Sequence, residues 1–208
     1  MALKHKYFID SHKLSNAPVI VAMMVLFGAT ENPTAWVYLG LHGTYGVLWF
    51  LKSRTFGDVQ WEKPTTLVLG LGTWAVLSLY WIAPWMIASR GIEAPPWFLG
   101  LAISVYAVGV FFHFASDMQK HAALKARPGV LITDGLWSRT RNPNYFGELL
   151  IYAGFTSLAM HWLPLAALGS VVAAVWVPNM LRKDKSLSRY PEFAAYKSRT
   201  KLFIPFVA

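Results

Sequence analysis

Six apolar runs set off by polar connections constrain this chain more than any single motif: Leu14–Thr30, Thr34–Leu51, Thr65–Ser89, Pro96–Ser116, Asn144–Met160 and Trp162–Pro178. An α-helix rises about 1.5 Å per residue, so about 20 apolar residues cross a hydrocarbon core of roughly 30 Å. Each run meets or approaches that length. Glu31-Asn32-Pro33 is a turn signal between the first two runs. Only the stretch from His161 to Pro164 separates the last two, which predicts a tight antiparallel hairpin. The expected fold is all-α: a polytopic membrane helix bundle of about six transmembrane helices, with residues 1–208 as a single integral membrane domain.

Composition agrees. Hydrophobic residues make up 55% of the chain and charged residues 14%, against about 45–50% and about 25% in soluble domains. A soluble core of this size has no room for the excess, and lipid takes it up. The ten Trp suit the boundary between membrane and water. With no Cys, disulfides, thiolate ligands and a Cys nucleophile are excluded. The polar N-terminus, Met1–Asn16, carries Lys4, Lys6 and Lys13. The apolar run after it lacks a small-residue cleavage site, so no removable signal peptide is expected.

The net charge of +9 suggests nucleic acid until its placement is considered. Of the 19 Lys and Arg, all but Arg90 fall in alternate segments: the N-terminus, the 52–64 loop, the 117–143 loop and the tail after Pro178. The positive-inside rule then places both termini in the cytoplasm and Arg90 outside. No basic helix face or Gly-rich RNA-binding element is present, so nucleic acid is excluded as a partner. The expected location is a multi-pass position in a bacterial inner membrane, or in an endoplasmic reticulum or other organelle membrane.

Long unstructured loops in a compact chain usually carry function, and here both lie on the cytoplasmic side. Asn142 suits an N-cap and Pro143 the first helical position, so a helix begins there. Its free N–H groups and positive dipole end form an anion site beside Arg139 and Arg141. Arg141, Asn144 or Tyr145, Glu148 and Tyr152 share one helical face by three-and-four spacing. Glu148 lies about one turn inside the boundary and must face a polar partner. Arg182 and Asp184, at the exit of the sixth run, complete a pocket expected to include Asp117. Phe193, Tyr196 and Lys197 suit a short amphipathic surface helix as well as a ligand contact.

Ser116-Asp117 with Gln119-Lys120, the Gly135-Leu136-Trp137 turn, Asn142-Pro143-Asn144-Tyr145-Phe146-Gly147-Glu148 and the Tyr190-Pro191, Tyr196-Lys197, Ile204-Pro205 tail together resemble the C-terminal domain of the steroid 5-alpha reductase family, over residues 105–206. The wider superfamily also holds sterol reductases and isoprenylcysteine carboxyl methyltransferases. The resemblance implies a cytoplasmic-side nucleotide pocket and a lipid substrate entering from the bilayer. Asn142 stands where the usual motif has His after the Arg. Asp184 stands alone where the methyltransferases carry paired acids. The Asn-Tyr-x-Gly-Glu frame of Asn144 to Glu148 is closer to the reductases.

Two enzyme classes follow, with a non-catalytic scaffold as a third reading. The first is an NADPH-dependent reductase of a lipophilic enone or alkene, sterol- or isoprenoid-like. It implies cofactor contacts from Asp117, Lys120, Arg127, Arg141, Asn144, Tyr145, Arg182, Asp184 and Tyr196, with Lys183 a further candidate for the extra phosphate. The second is an S-adenosylmethionine-dependent methyltransferase acting on a lipid or prenylated group. A reductase also needs a proton donor. His42-Gly43-Thr44-Tyr45-Gly46 is a polar patch inside the second run, and intramembrane His points to function. Equally, its small residues suit close helix packing. His42, Tyr45 and Glu148 are the catalytic candidates, with Tyr80 an outsider. His113 and His121 lie too far apart, with no carboxylate pair at ligand spacing, so no metal is expected.

Overall fold

The computed structural model describes residues 3–207, and they form helices and no β-strands. Helix α1 spans His5–Leu26, α2 Pro33–Thr55, α3 Leu67–Ser78, α4 Ile82–Arg90, α5 Pro96–Ala126, α6 Pro143–Thr156, α7 Trp162–Val171, α8 Val177–Leu187 and α9 Phe193–Arg199. A 3-10 turn, Leu79–Trp81, joins α3 to α4, and a π-helical stretch, Val172–Trp176, joins α7 to α8. Contacts divide the chain into two compact units. One runs through Ser104 and includes Ala153–Leu168; the other comprises Val105–Tyr152 and the segment from Gly169 onward.

Three helical stretches are long and apolar enough to cross a membrane: Leu67–Arg90, Pro96–Ala126 and Trp162–Leu187. The other expected spans fall short for physical reasons. Helix α1 carries Asp10, His12, Lys13 and Asn16, all buried. Helix α2 buries His42 and Lys52. Helix α6 has 14 residues, about 21 Å at the usual rise. The N-terminus, read from sequence as a polar segment preceding the first helix, is instead helical from His5, with Asp10, His12, Lys13 and Asn16 buried.

In the first unit α1 packs along α2 with almost no space between backbones. A Cβ on Gly46 would fall on the Lys13 carbonyl, and one on Gly43 would press on Ala17 Cβ at 3.3 Å. Small residues permit this approach. The start of α2 is capped as the sequence suggests: Asn32 Oδ1 accepts from Ala35 N at 3.1 Å, with Pro33 at the first position. Asn32 Nδ2 also donates to Ile92 O at 3.0 Å, and Ala94 N donates to Thr34 Oγ1 at 2.8 Å. These bonds pin the connection after α4 to the head of α2.

The other end of α1 is clasped to the 59–65 segment. His5 N donates to Lys63 O at 3.2 Å and Thr65 N to Leu3 O at 2.8 Å, while Glu62 pairs with both Lys4 and Lys6. Hydrogen bonds from Lys4 and then Lys6 hold the Glu62 carboxyl below its ordinary value of 4.5. A depressed carboxyl stabilises the fold above its unfolded pKa, and the effect is lost as pH falls through the folded value. Hydrogen-exchange protection at residues 3–8, measured relative to the intrinsic rate at each pH, should therefore fall as the solution is acidified below the ordinary carboxylate value. Glu62→Gln should abolish that pH step; a step that survives in this variant would remove the clasp from the explanation.

In the second unit α5 and α6 cross at glycines. A Cβ on Gly147 would lie 2.7 Å from Gly109 O and 2.8 Å from His113 Cα. His113 Nδ1 donates to Asn144 O at 3.0 Å, fixing the register of the crossing.

Candidate functional site

The polar residues of the 117–143 loop and the tail form one buried lattice in the second unit. Gly135, at φ +57, turns the loop beneath Gln119. Gln119 brackets the turn, donating to Asp134 O at 3.0 Å and accepting from Leu136 N at 3.1 Å. Trp137 is thereby buried, its Nε1 donating to Ser116 O at 3.3 Å. Tyr196, on α9, donates its hydroxyl to Trp137 O at 2.7 Å, and burial pushes that phenol up to about 12. Tyr196 thus ties the tail to the loop as a neutral donor.

Arg141 and Asp184 are the centre of the lattice. Both are buried, and Arg141 Nε lies 3.0 Å from each Asp184 oxygen, with Nη2 at 2.9 Å. Arg141 Nη1 donates to Thr200 O at 2.7 Å and to Lys197 O at 3.4 Å. Arg141 is therefore consumed within the chain rather than presented to a phosphate. A parallel bridge between Thr140 and Lys201, and a bond from Arg141 N to Lys201 O at 2.8 Å, close the same seam.

Asn142, expected to cap α6 with its side chain, is used otherwise. Its Nδ2 donates to Leu202 O at 2.7 Å and its Oδ1 accepts from Lys183 Nζ at 3.0 Å. Lys183 also donates to Arg141 O at 2.7 Å and sits 4.4 Å above the Trp137 ring. Tail carbonyls occupy a residue that sequence spacing assigned to the helix start. No local signal shows this, because the partners lie 60 and 41 residues away.

The remaining expected contacts separate. Asn144 keeps its place on the first turn of α6, and its Oδ1 is buried with no hydrogen-bond partner. Glu148 lies one turn further along the same helix, half-buried. Tyr145 packs on Trp176 at 5.5 Å between ring centres. Asp117 is buried and Lys120 half-buried on α5. Arg127 is exposed and 3.8 Å from Asp134. Arg182 is exposed and bonds Asn179, one turn back on its own helix, rather than joining Arg141.

The first unit holds the other expected residues. His42 is buried and stacks on Phe155, with ring centres 4.3 Å apart. Tyr38 donates its single hydroxyl proton to Tyr80 O at 3.1 Å, so its oxygen accepts from His42 Nδ1 at 3.0 Å. That geometry assigns His42 the Nδ1–H tautomer and leaves Nε2 as its acceptor. Tyr80 enters through its carbonyl rather than its phenol. Tyr45 is buried beneath the Lys13 ammonium, 4.5 Å from the ring centre. Tyr38, which sequence reading passed over, lies four residues before His42, and that spacing was the available signal. The same holds for Asp10, Lys13 and Asn16, which stand three apart and bury one face of α1. Among the described residues no group of three or more His, Asp or Glu side chains is placed to hold a metal ion.

A family model described as a protein of unknown function, DUF1295, matches residues 2–201. The chain belongs to that family. It is also similar to an uncharacterized protein, C7D4.09c, of the fission yeast Schizosaccharomyces pombe, at 32% identity over 96 residues. The alignment covers 43% of this chain and 34% of the yeast protein, so the chain spans about a third of the length of the curated relative it matches. Neither description states an activity, and for this DUF1295 member the chemistry rests on the geometry above.

Proposed function

We propose that this protein is a membrane-embedded, NADPH-dependent reductase of a lipophilic enone or alkene, crossing the bilayer with six helices and both termini in the cytoplasm. The observation that carries the reading is the Asn144 side chain, whose buried Oδ1 lacks any partner at the mouth of a helix. A buried carbonyl left unpaired is costly, and a ligand N–H relieves it. Glu148 supplies a second acceptor one turn along the same face. Two acceptors side by side suit the amide of a nicotinamide ring, while Lys120, Arg127 and Arg182 lie within the same unit as cations for phosphates. NADPH supplies the hydride when bound. Asn144 and Glu148 orient it, and Asp117, Tyr145 and the Trp137–Tyr196 tie shape its surroundings. Arg141 and Asp184 act as positioning residues that hold the tail in place.

Arg141's commitment to Asp184 favours a second reading, because a cofactor without phosphates has no need of a free guanidinium. That cofactor is S-adenosylmethionine, and the activity is methyl transfer to a lipid or prenylated group. Titration of the purified protein in detergent with NADPH, NADH and S-adenosylmethionine separates the two. NADPH should bind more tightly than NADH, and Asn144→Ala should weaken it by roughly three- to tenfold, the worth of one hydrogen bond. Binding of S-adenosylmethionine alone would reverse the order of the two readings.

A further inference from the structure

At the clasped end of the first unit lies a small cleft, open to solvent and with room for about one water-sized group, lined by Asp10, Lys52, Ser53, Asp58, Trp61 and Glu62 among others. Neither reading of the function uses it. Its most informative residue is Asp10, which is 5% exposed. Asp10 Oδ2 accepts from Ser53 Oγ at 2.9 Å, whereas Oδ1 is buried with no hydrogen-bond partner. No ion pair reaches Asp10 among the described residues. Burial raises its carboxyl above its ordinary value, and the Ser53 bond, the charges of Arg54 and Lys6 and a side-chain bond from Trp49 offset this only in part.

A buried carboxyl oxygen with nothing to accept calls for a donor, and a cationic donor answers both the missing bond and the missing charge. The walls around it agree. Trp61 is half-buried and tilted against His5 at 5.5 Å between ring centres, and indole faces attract cations. Lys6 already bonds Glu62, and the lining carries a second cation, Lys52, over the Trp49 ring at 4.7 Å, together with a further acid, Asp58. The cleft therefore presents acceptor and cation together, the pattern complementary to an ammonium carried close to a phosphate. Its residues come from the first turns of α1, the last turns of α2 and the 59–62 turn. In the six-span reading those helix ends sit where lipid head groups lie.

We propose that this cleft binds a primary ammonium group, donated to Asp10 Oδ1, of an aminophosphate head group. The same chemistry is offered by phosphatidylethanolamine in the bilayer and by free phosphoethanolamine in solution. Phosphatidylcholine is the discriminating control, because its quaternary ammonium keeps the charge but has no N–H to give.

The test uses the full chain in detergent, without nucleotide, and measures binding of dioleoyl phosphatidylethanolamine, phosphatidylcholine, phosphatidylglycerol and free phosphoethanolamine by native mass spectrometry and thermal shift. Phosphatidylethanolamine should bind at least about tenfold more tightly than phosphatidylcholine, the worth of one charge-assisted hydrogen bond. Asp10→Asn should shrink that margin to about threefold or less, since the charge is gone. Free phosphoethanolamine binding with the same Asp10 dependence supports the site and names a soluble source. Equal binding of the two zwitterionic lipids, a preference for phosphatidylglycerol, or a margin that survives Asp10→Asn overturns it. Should Asp10→Asn fail to yield monodisperse protein, Trp61→Leu decides. It should weaken both zwitterionic lipids by about threefold, and unchanged phosphatidylethanolamine affinity overturns the site. The result is independent of nucleotide binding, so its failure leaves the reductase reading where it stands.

Discussion

Arg141→Met should lower the stability of the second unit by about 3–5 kcal/mol, because it strands a buried carboxylate. The side chains of Arg141 and Asp184 are 6% and 8% exposed, so little water is present to take over. The same change removes the donors to Thr200 O and Lys197 O. The tail should therefore loosen along with the fold, and proteolysis after α8 should accelerate. Arg141→Lys keeps the charge but cannot span two carboxylate oxygens and the tail carbonyls at once, so it should fall between wild type and Arg141→Met. Replacing both partners, as Arg141→Met with Asp184→Leu, should recover much of the loss because no charge is then buried alone. The measurement is the thermal midpoint in detergent with the tail's cleavage rate beside it. A single variant as stable as the parent would sink the account of the pair as the tail's anchor.

Gly147→Ala should be nearly as damaging, at about 3 kcal/mol, the upper end for overpacking. The added Cβ would meet backbone on the facing helix, namely Gly109 O, His113 N and His113 Cα. A flexible side chain would swing aside; backbone has nowhere to go. α5 and α6 would have to part, stretching the bond from His113 Nδ1 to Asn144 O. That bond sits beside the unpartnered Asn144 side chain, so NADPH affinity should fall together with the midpoint. Gly72→Ala is the control, because a Cβ there meets nothing within 4 Å. If Gly147→Ala and Gly72→Ala behave alike, the close crossing carries no energetic weight.

Much of the architecture was open to sequence reading because helix starts and stops are local. Asn32-Pro33 caps α2, Pro143 begins α6, and Gly91 ends α4 in the left-handed conformation. Each of these depends on a few neighbouring residues and on backbone preferences that no distant contact alters. The candidate site was only half legible. Asn144 and Glu148 could be placed on one face by counting residues, whereas the anion site expected beside Arg141 depended on partners that counting does not supply. Counting does not reveal that Asp184 satisfies Arg141, that Lys183 and Leu202 occupy Asn142, or that Arg182 turns away to Asn179.

Sequence alone determined that this chain is helical and suited to lipid, because the length, apolarity and spacing of its runs are properties of consecutive residues. Charge in alternate connections is equally local, and it underlies the proposed orientation. Tertiary structure decided which polar groups are spent on the fold and which remain for a ligand. Arg141 and Asp184 stand 43 positions apart, and Asp10 and Ser53 likewise, so their pairing is a matter of how helices meet. The unpartnered oxygens of Asn144 and Asp10 emerge only once every neighbour has taken its place. A hydrogen bond that is missing can be recognised only after those that are made have been assigned.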